Sequence, residues 1–376
     1  MSLFLEYHLI QNFAPSNLNR DDTGSPKDAI FGGHRRARIS SQSWKRSVRQ
    51  DFANLQLLPE NLGVRTKKLQ SLLADRLSGK GTDEEVATKI EIALAAAGLK
   101  LEENGKTQYL LFLGEQEIAA FAELVEQYWD SLVAGEAKGK KEAKAALPKE
   151  ITDKAKEILN GGKAVDVALF GRMLADLPKA NQDAACQVAH AISTHRAERE
   201  FDYFTAVDDK GDEDETGAGM IGQVEFNSAT FYRYAVLDVN KLFENLQADR
   251  ELTLSSVSAF TEAIARAIPT CKQNSFAAHN PPEFIGVSVR HGSPLNLANA
   301  FERPITSRPG KAITQQSVEH LAAYEEQLAA AYADADDKWL FLDLTSLWPQ
   351  EKGDRASSLR ELVQKVRDSV EHELGD

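Results

Sequence analysis

Apolar and polar positions alternate from Leu3 to Ile10 (LFLEYHLI), which predicts a first strand. Arg36–Ser40 (RARIS) reads as a second, short strand. From Ser40 the period becomes helical. Ser41, Trp44, Val48, Phe52 and Leu55 share one face, while Gln42, Lys45, Arg46 and Arg49 share the other. Between Leu57 and Leu159 the segments VRTKKLQSLLADRL, DEEVATKIEIALAAAG and EQEIAAFAELVEQYWDSLV predict helices, the second ended by Gly98. Asn104-Gly105 between alternating arms predicts a hairpin, and Ala134–Glu150 reads as an exposed linker or helix tip.

Farther on, AVDVALFGRMLAD (164–176) is strand-like, and DAACQVAHAIST (183–194) has the pattern of an Ala-rich buried helix. REFDYFTAVDD and GMIGQVEFNSATFYRYAVLDVN are long alternating arms joined by KGDEDETGAG, an extended β-hairpin. The remainder predicts a helix stopped by Pro269, a strand at PEFIGVSV, a helix at QQSVEHLAAYEEQLAAAYA, a strand at WLFLDLT and a Ser-capped terminal helix. Strand, basic loop and helix in this order fit the opening of a ferredoxin-like or RNA-recognition-type core, an α+β class.

Charge changes the picture. The chain has 376 residues and a formal net charge of −13, yet between Asp28 and Asp51 it carries Arg35, Arg36, Arg38, Lys45, Arg46 and Arg49 and no acid. Such a run is either a solvated helix face or a polyanion site. Gly32-Gly33, which permits a sharp turn or close approach to a ligand, and the Ser40–Ser41 helix start, which offers free N–H groups to phosphate, favour the polyanion. The acidic remainder argues against indiscriminate coating of nucleic acid. Cys186 and Cys271 stand in no metal-ligand spacing, and the start MSLFLEYHLI lacks the features of a signal peptide. With no apolar run long enough to span a membrane, the expectation is a cytoplasmic protein without a cofactor or metal.

The run PSNLNRDDTGSPKDAIFGGHRRARISSQSWKRSVR resembles the N-terminal signature of the CasC-type backbone subunit of type I-E Cascade, the CRISPR RNA-guided surveillance complex. LNRDD, KDAIFGG and RISSQS occur in order with nothing shifted between them. The resemblance covers nearly the whole chain, is strong also in DYFTAVDD, FYRYA and PLNLANAFERP, and is thinnest across the helical insertion and the C-terminus. The resemblance implies an RNA-recognition-motif-like (ferredoxin-like) palm with a helical fingers insertion and a β-hairpin thumb. The expected boundaries are palm 1–58, fingers 59–163, palm 164–195, thumb 196–225 and palm 226–376.

It also implies roles. Arg20, Lys27, Lys45 and Arg49, supported by Ser40 and Gln42, would hold the CRISPR RNA backbone together with Arg35, Arg36 and Arg46 of the basic run. Met173, Phe204 and Ile221 would wedge against bases, Met173 being otherwise a core gap-filler and the other two cross-strand packing. Implied partners are CRISPR RNA, target DNA through guide pairing, copies of the chain itself, other Cascade subunits and a recruited nuclease-helicase. The acidic tip Asp208–Glu215 is expected to avoid phosphate. No nucleophile elbow, phosphate loop or His/Cys cluster supports catalysis. The alternative is a Mg²⁺-dependent ribonuclease using Asp21 or Asp22, although adjacent acids more often make a turn.

Overall fold

The computed structural model describes residues 2–55, 57, 59–133, 148–159, 163–174, 177–206, 220–332 and 337–375. Its strands are β1 (Phe4–Ser16), β2 (Asp28–Phe31), β3 (His34–Ile39), β4 (Gly63–Thr66), β5 (Leu111–Gly114), β6 (Cys186–Val188), β7 (Ala191–Ser193), β8 (Glu200–Ala206), β9 (Met220–Asp238), β10 (Phe284–Arg290), β11 (Lys338–Asp343) and β12 (Asp354–Arg355). The chain divides into two compact units. Met1–Leu55, Cys186–Asn240 and Leu254–Asp376 form the first, Gln56–Ala185 and Lys241–Thr253 the second. Residues 164–185, expected with the palm, therefore lie in the second unit.

The first unit is built on one mixed sheet in the order β12-β11-β10-β1-β9-β7-β3-β2, with β6 and β8 also paired to β9. The β11–β12 pair is parallel; β1 pairs antiparallel with both β10 and β9. Because β1 is central, both of its faces are buried, and the alternation seen in sequence separates two cores rather than core from solvent. Tyr7 meets Phe260 edge-on and bonds to Thr261 at 2.8 Å on one face. On the other, Ile10 joins Tyr232, Phe284, Trp339 and Trp348 under the helix Ile313–Tyr332. Glu6 accepts from Tyr234 Oη at 2.8 Å and from Arg290 Nε at 2.6 Å, and also from the N–H of Leu295.

The second unit packs Leu69–Arg76, Asp83–Ala97, Glu115–Gln127 and Lys149–Ile158 around Leu73, Ile90, Leu94, Phe121, Val125 and Ile151. Asp83–Ala97 is capped by the Thr82 hydroxyl and, as its sequence predicts, ends at Gly98, which has φ +100°. Three expectations are corrected here. VRT of the first predicted helix is strand β4, which pairs with β5. Asn104-Gly105 does turn tightly, with φ +73° at Gly105 and a Leu101–Thr107 bridge, but β5 leaves that arm for β4. Val165–Phe170 is a short helix rather than a strand, buried at every position and stopped by Gly171 with φ +76°.

The predicted helix over 183–194 is also corrected, to strands β6 and β7 against β9 in the first unit. The long hairpin stands as expected: β8 and β9 run antiparallel from Glu200 opposite Phe226 to Ala206 opposite Met220. Asp208–Glu215 falls outside the described residues.

Candidate nucleic-acid interface

Residues 17–49 form a loop, a two-strand turn and a helix held together by short polar links. Asp21 closes the loop, its Oδ1 accepting from Thr23 N (2.9 Å), Thr23 Oγ1 (2.7 Å) and Ser25 N (3.0 Å). The Thr23 hydroxyl, then the backbone donors, hold this carboxyl below its ordinary value. Asn19 ties the loop to the helix by accepting from Ser40 N at 2.8 Å. The helix α1, Ser41–Asp51, begins at Ser40, whose Oγ accepts from Ser43 N.

Why α1 sits where it does follows from its apolar face. Trp44, Val48 and Phe52 are buried as the sequence predicts. The Arg233 guanidinium lies 3.5 Å above the Trp44 ring and donates to Gln11 Oε1 and Ile264 O. Burial pushes Arg233 down to about 9, still charged at neutral pH. The opposite face shows solvent Gln42 and Arg46, with Lys45 and Arg49 half-buried. Arg20 and Arg46, twenty-six positions apart, line one cleft of about 590 Å³ with Asn19, Asp21, Asp22, Ser43 and Thr270.

Two expected contacts are withdrawn from this surface. Arg36 is 0 % exposed, and its guanidinium donates to Ser193 O (2.9 Å), Phe301 O (2.7 Å) and Glu302 O (3.1 Å). It fastens β3 to the 297–302 segment and presents nothing outward. Ser40 is 6 % exposed with its hydroxyl used as the cap. Gly32 and Gly33, with φ +57° and +76°, make the tight β2–β3 turn. The close approach that Gly32 permits is to the chain itself, since a Cβ there would overlap the Glu302 carbonyl. Arg35 stays exposed but pairs with Asp28, which also takes Arg199 at 2.8 Å.

What remains is a set of accessible charges. Among the described residues, Arg20, Lys27, Arg38 and Arg46 have no carboxylate within ion-pair distance. Arg38 belongs to the basic run but was not among the expected contacts. The helical pattern of 183–194 hides its neighbour His190, which in the structure leads into β7 and meets Arg38. His195 is turned inward, Nε2 accepting from Thr230 N and Nδ1 donating to Arg196 O.

The expected wedge residues occupy varied positions. Met173, in the second unit, is 82 % exposed, which excludes a core gap-filling role. It follows Arg172, buried and ion-paired to Glu117 at 2.7 Å while donating to Ala180 O and Leu159 O. Phe204 is partly exposed, its ring set against Gly222 across the hairpin. Ile221 lies opposite Thr205 in register. The sequence reading overlooked Phe201 and Tyr203, both exposed aromatics that share the other face of β8 by their i, i+2 spacing.

A family model described as CT1975-like protein matches residues 5–365. The chain belongs to the CT1975-like family. No curated protein matches. Among solved structures, this family member is similar to a chain of a "CRISPR RNA-guided surveillance complex, pre-nicking" at 31 % identity and TM-score 0.85, covering 97 % of this chain and 99 % of that one. A chain of a "CRISPR RNA-guided surveillance complex" matches at 27 % identity, TM-score 0.76 and the same coverage. The resemblance to a Cascade backbone subunit is borne out for this CT1975-like protein.

Proposed function

We propose that this protein is a non-catalytic, CRISPR RNA-binding backbone subunit of a type I-E Cascade complex. Several copies line up along one guide, hold its phosphates and leave its bases free to pair with target DNA. The observation that carries this reading is the accessible Arg20, Lys27 and Arg46, without carboxylate partners among the described residues, beside a capped helix start in a protein of net charge −13. In this reading the first unit is the palm, β8–β9 the thumb and the helices of the second unit the fingers. Lys45, Arg49 and Gln42 add backbone contacts, and Met173, Phe204 and Ile221 meet bases where the stack is broken. Other Cascade subunits and a recruited nuclease-helicase complete the assembly.

The test is equilibrium binding of labelled single-stranded RNA. Arg20→Ala and Arg46→Ala are each expected to weaken binding about three- to tenfold on every sequence alike. Each lowers the slope of log affinity against log salt by about 0.7 for every phosphate it no longer neutralises. A loss confined to particular sequences contradicts a backbone grip. The same RNA with Mg²⁺ is expected to stay intact, and cleavage abolished by Asp22→Ala would replace this reading with the ribonuclease one.

A further inference from the structure

Lys27 immediately precedes β2 and is joined to Arg38 of β3 by the bond from Arg38 N to Lys27 O at 2.9 Å. Arg38 stands opposite Ile192 of β7, and His190 is the residue two before that pair. The Arg38 guanidinium is pinned at two points: Nε donates to the Asp28 carbonyl at 3.0 Å and Nη1 meets His190 Nδ1 at 3.0 Å. A guanidinium only donates, so Nδ1 accepts and the neutral ring carries its hydrogen on Nε2. His190 is exposed, so that N–H is a donor still to be used. Both anchors of Arg38 are neutral. A carboxylate would hold it equally well but cancel its charge, whereas a carbonyl and an imidazole fix its direction and leave the charge in force.

The charged groups facing His190 are Arg38 and Lys27; burial first, and then these two cations, hold the imidazole below its usual value. Three donors with at least two positive charges suit a compact anion with several acceptor oxygens. We propose that Lys27, Arg38 and His190 form a binding site for one phosphodiester group of single-stranded RNA, with His190 both steering Arg38 and donating from Nε2. This rests on the backbone-binding reading above and extends it to two residues outside the expected set. Protonation of the ring would put a hydrogen on Nδ1 and break the bond from Arg38, so the site as built uses the neutral imidazole.

The experiment titrates labelled polyuridine RNA at several salt concentrations at about pH 7.5. Arg38→Ala is expected to weaken binding three- to tenfold and to lower the salt slope by about 0.7. His190→Ala is expected to weaken it two- to fivefold. His190→Gln, whose amide oxygen accepts from Arg38 and whose amide N–H donates in place of Nε2, is expected to restore affinity. Wild-type affinity and salt slope in Arg38→Ala and His190→Ala, while Arg46→Ala still weakens binding, overturns this site and leaves the broader reading intact. An affinity for His190→Gln no better than that for His190→Ala also overturns it. Silence of Arg20→Ala and Arg46→Ala as well removes both.

Discussion

Arg36 and Arg46 stand ten positions apart in the same basic run and end in opposite environments. One gives its donors to three carbonyls and is shut from water, while the other lines an open cleft. Sequence could mark the run but not sort it, because an Arg beside another Arg on a strand carries no sign of which face will be covered. The covering segment, 297–302, is more than 260 residues away. Their substitutions are expected to separate stability from binding. Arg36→Ala leaves buried acceptors unmet and lowers stability by about 3 kcal/mol in denaturant titrations. Arg46→Ala stays within about 0.5 kcal/mol of wild type and loses RNA affinity instead.

Elements with a full period of pattern were legible. The start of helix α1 was readable to within a residue because cap, buried face and charged face all agree, whereas the expected face runs on to Leu55 and the α-helix stops at Asp51. Ser40→Ala is accordingly expected to cost about 1 kcal/mol, seen as a lowered melting temperature, with Ser40→Asp restoring it. Short elements were not legible. Val165–Phe170 has six residues, too few to tell a buried helix from a buried strand by period. Residues 183–194 are rich in Ala, a strong helix former, but pairing of Cys186 with Leu237 and Ile192 with Tyr232 overrides that preference. Of the candidate site, the loop and helix were readable from motif and charge. His190 was not, since only the β3–β7 pairing brings it to Arg38.

For the molecule as a whole, the α+β class was visible in the mix of periods, while the strand order was hidden because it depends on pairings across most of the chain. That long-range packing buries His8 completely, among Tyr232, Tyr234 and Trp339, and burial pushes its pKa down to about 3. The folded protein keeps this ring neutral where the unfolded chain takes up a proton, at the usual value near 6.5. Stability from this source is intact above about pH 6.5 and falls by about 1.4 kcal/mol per pH unit down toward pH 3. His8→Phe is expected to narrow its stability deficit, or turn it into a gain, as pH is lowered through that window. A deficit that stays constant with pH in paired denaturant titrations contradicts the assignment.

Strand β9 is nineteen residues long, and the same backbone serves two structures: its first part is one arm of the hairpin, and its later part lies in the middle of the sheet between β1 and β7. The arm thus continues a central strand, and it departs where the register against β1 shifts, between Ala229 opposite Phe13 and Asn227 opposite Ser16. Whatever residues 222–226 meet is therefore joined through one unbroken strand to the ladder at 229–238, in the centre of the sheet.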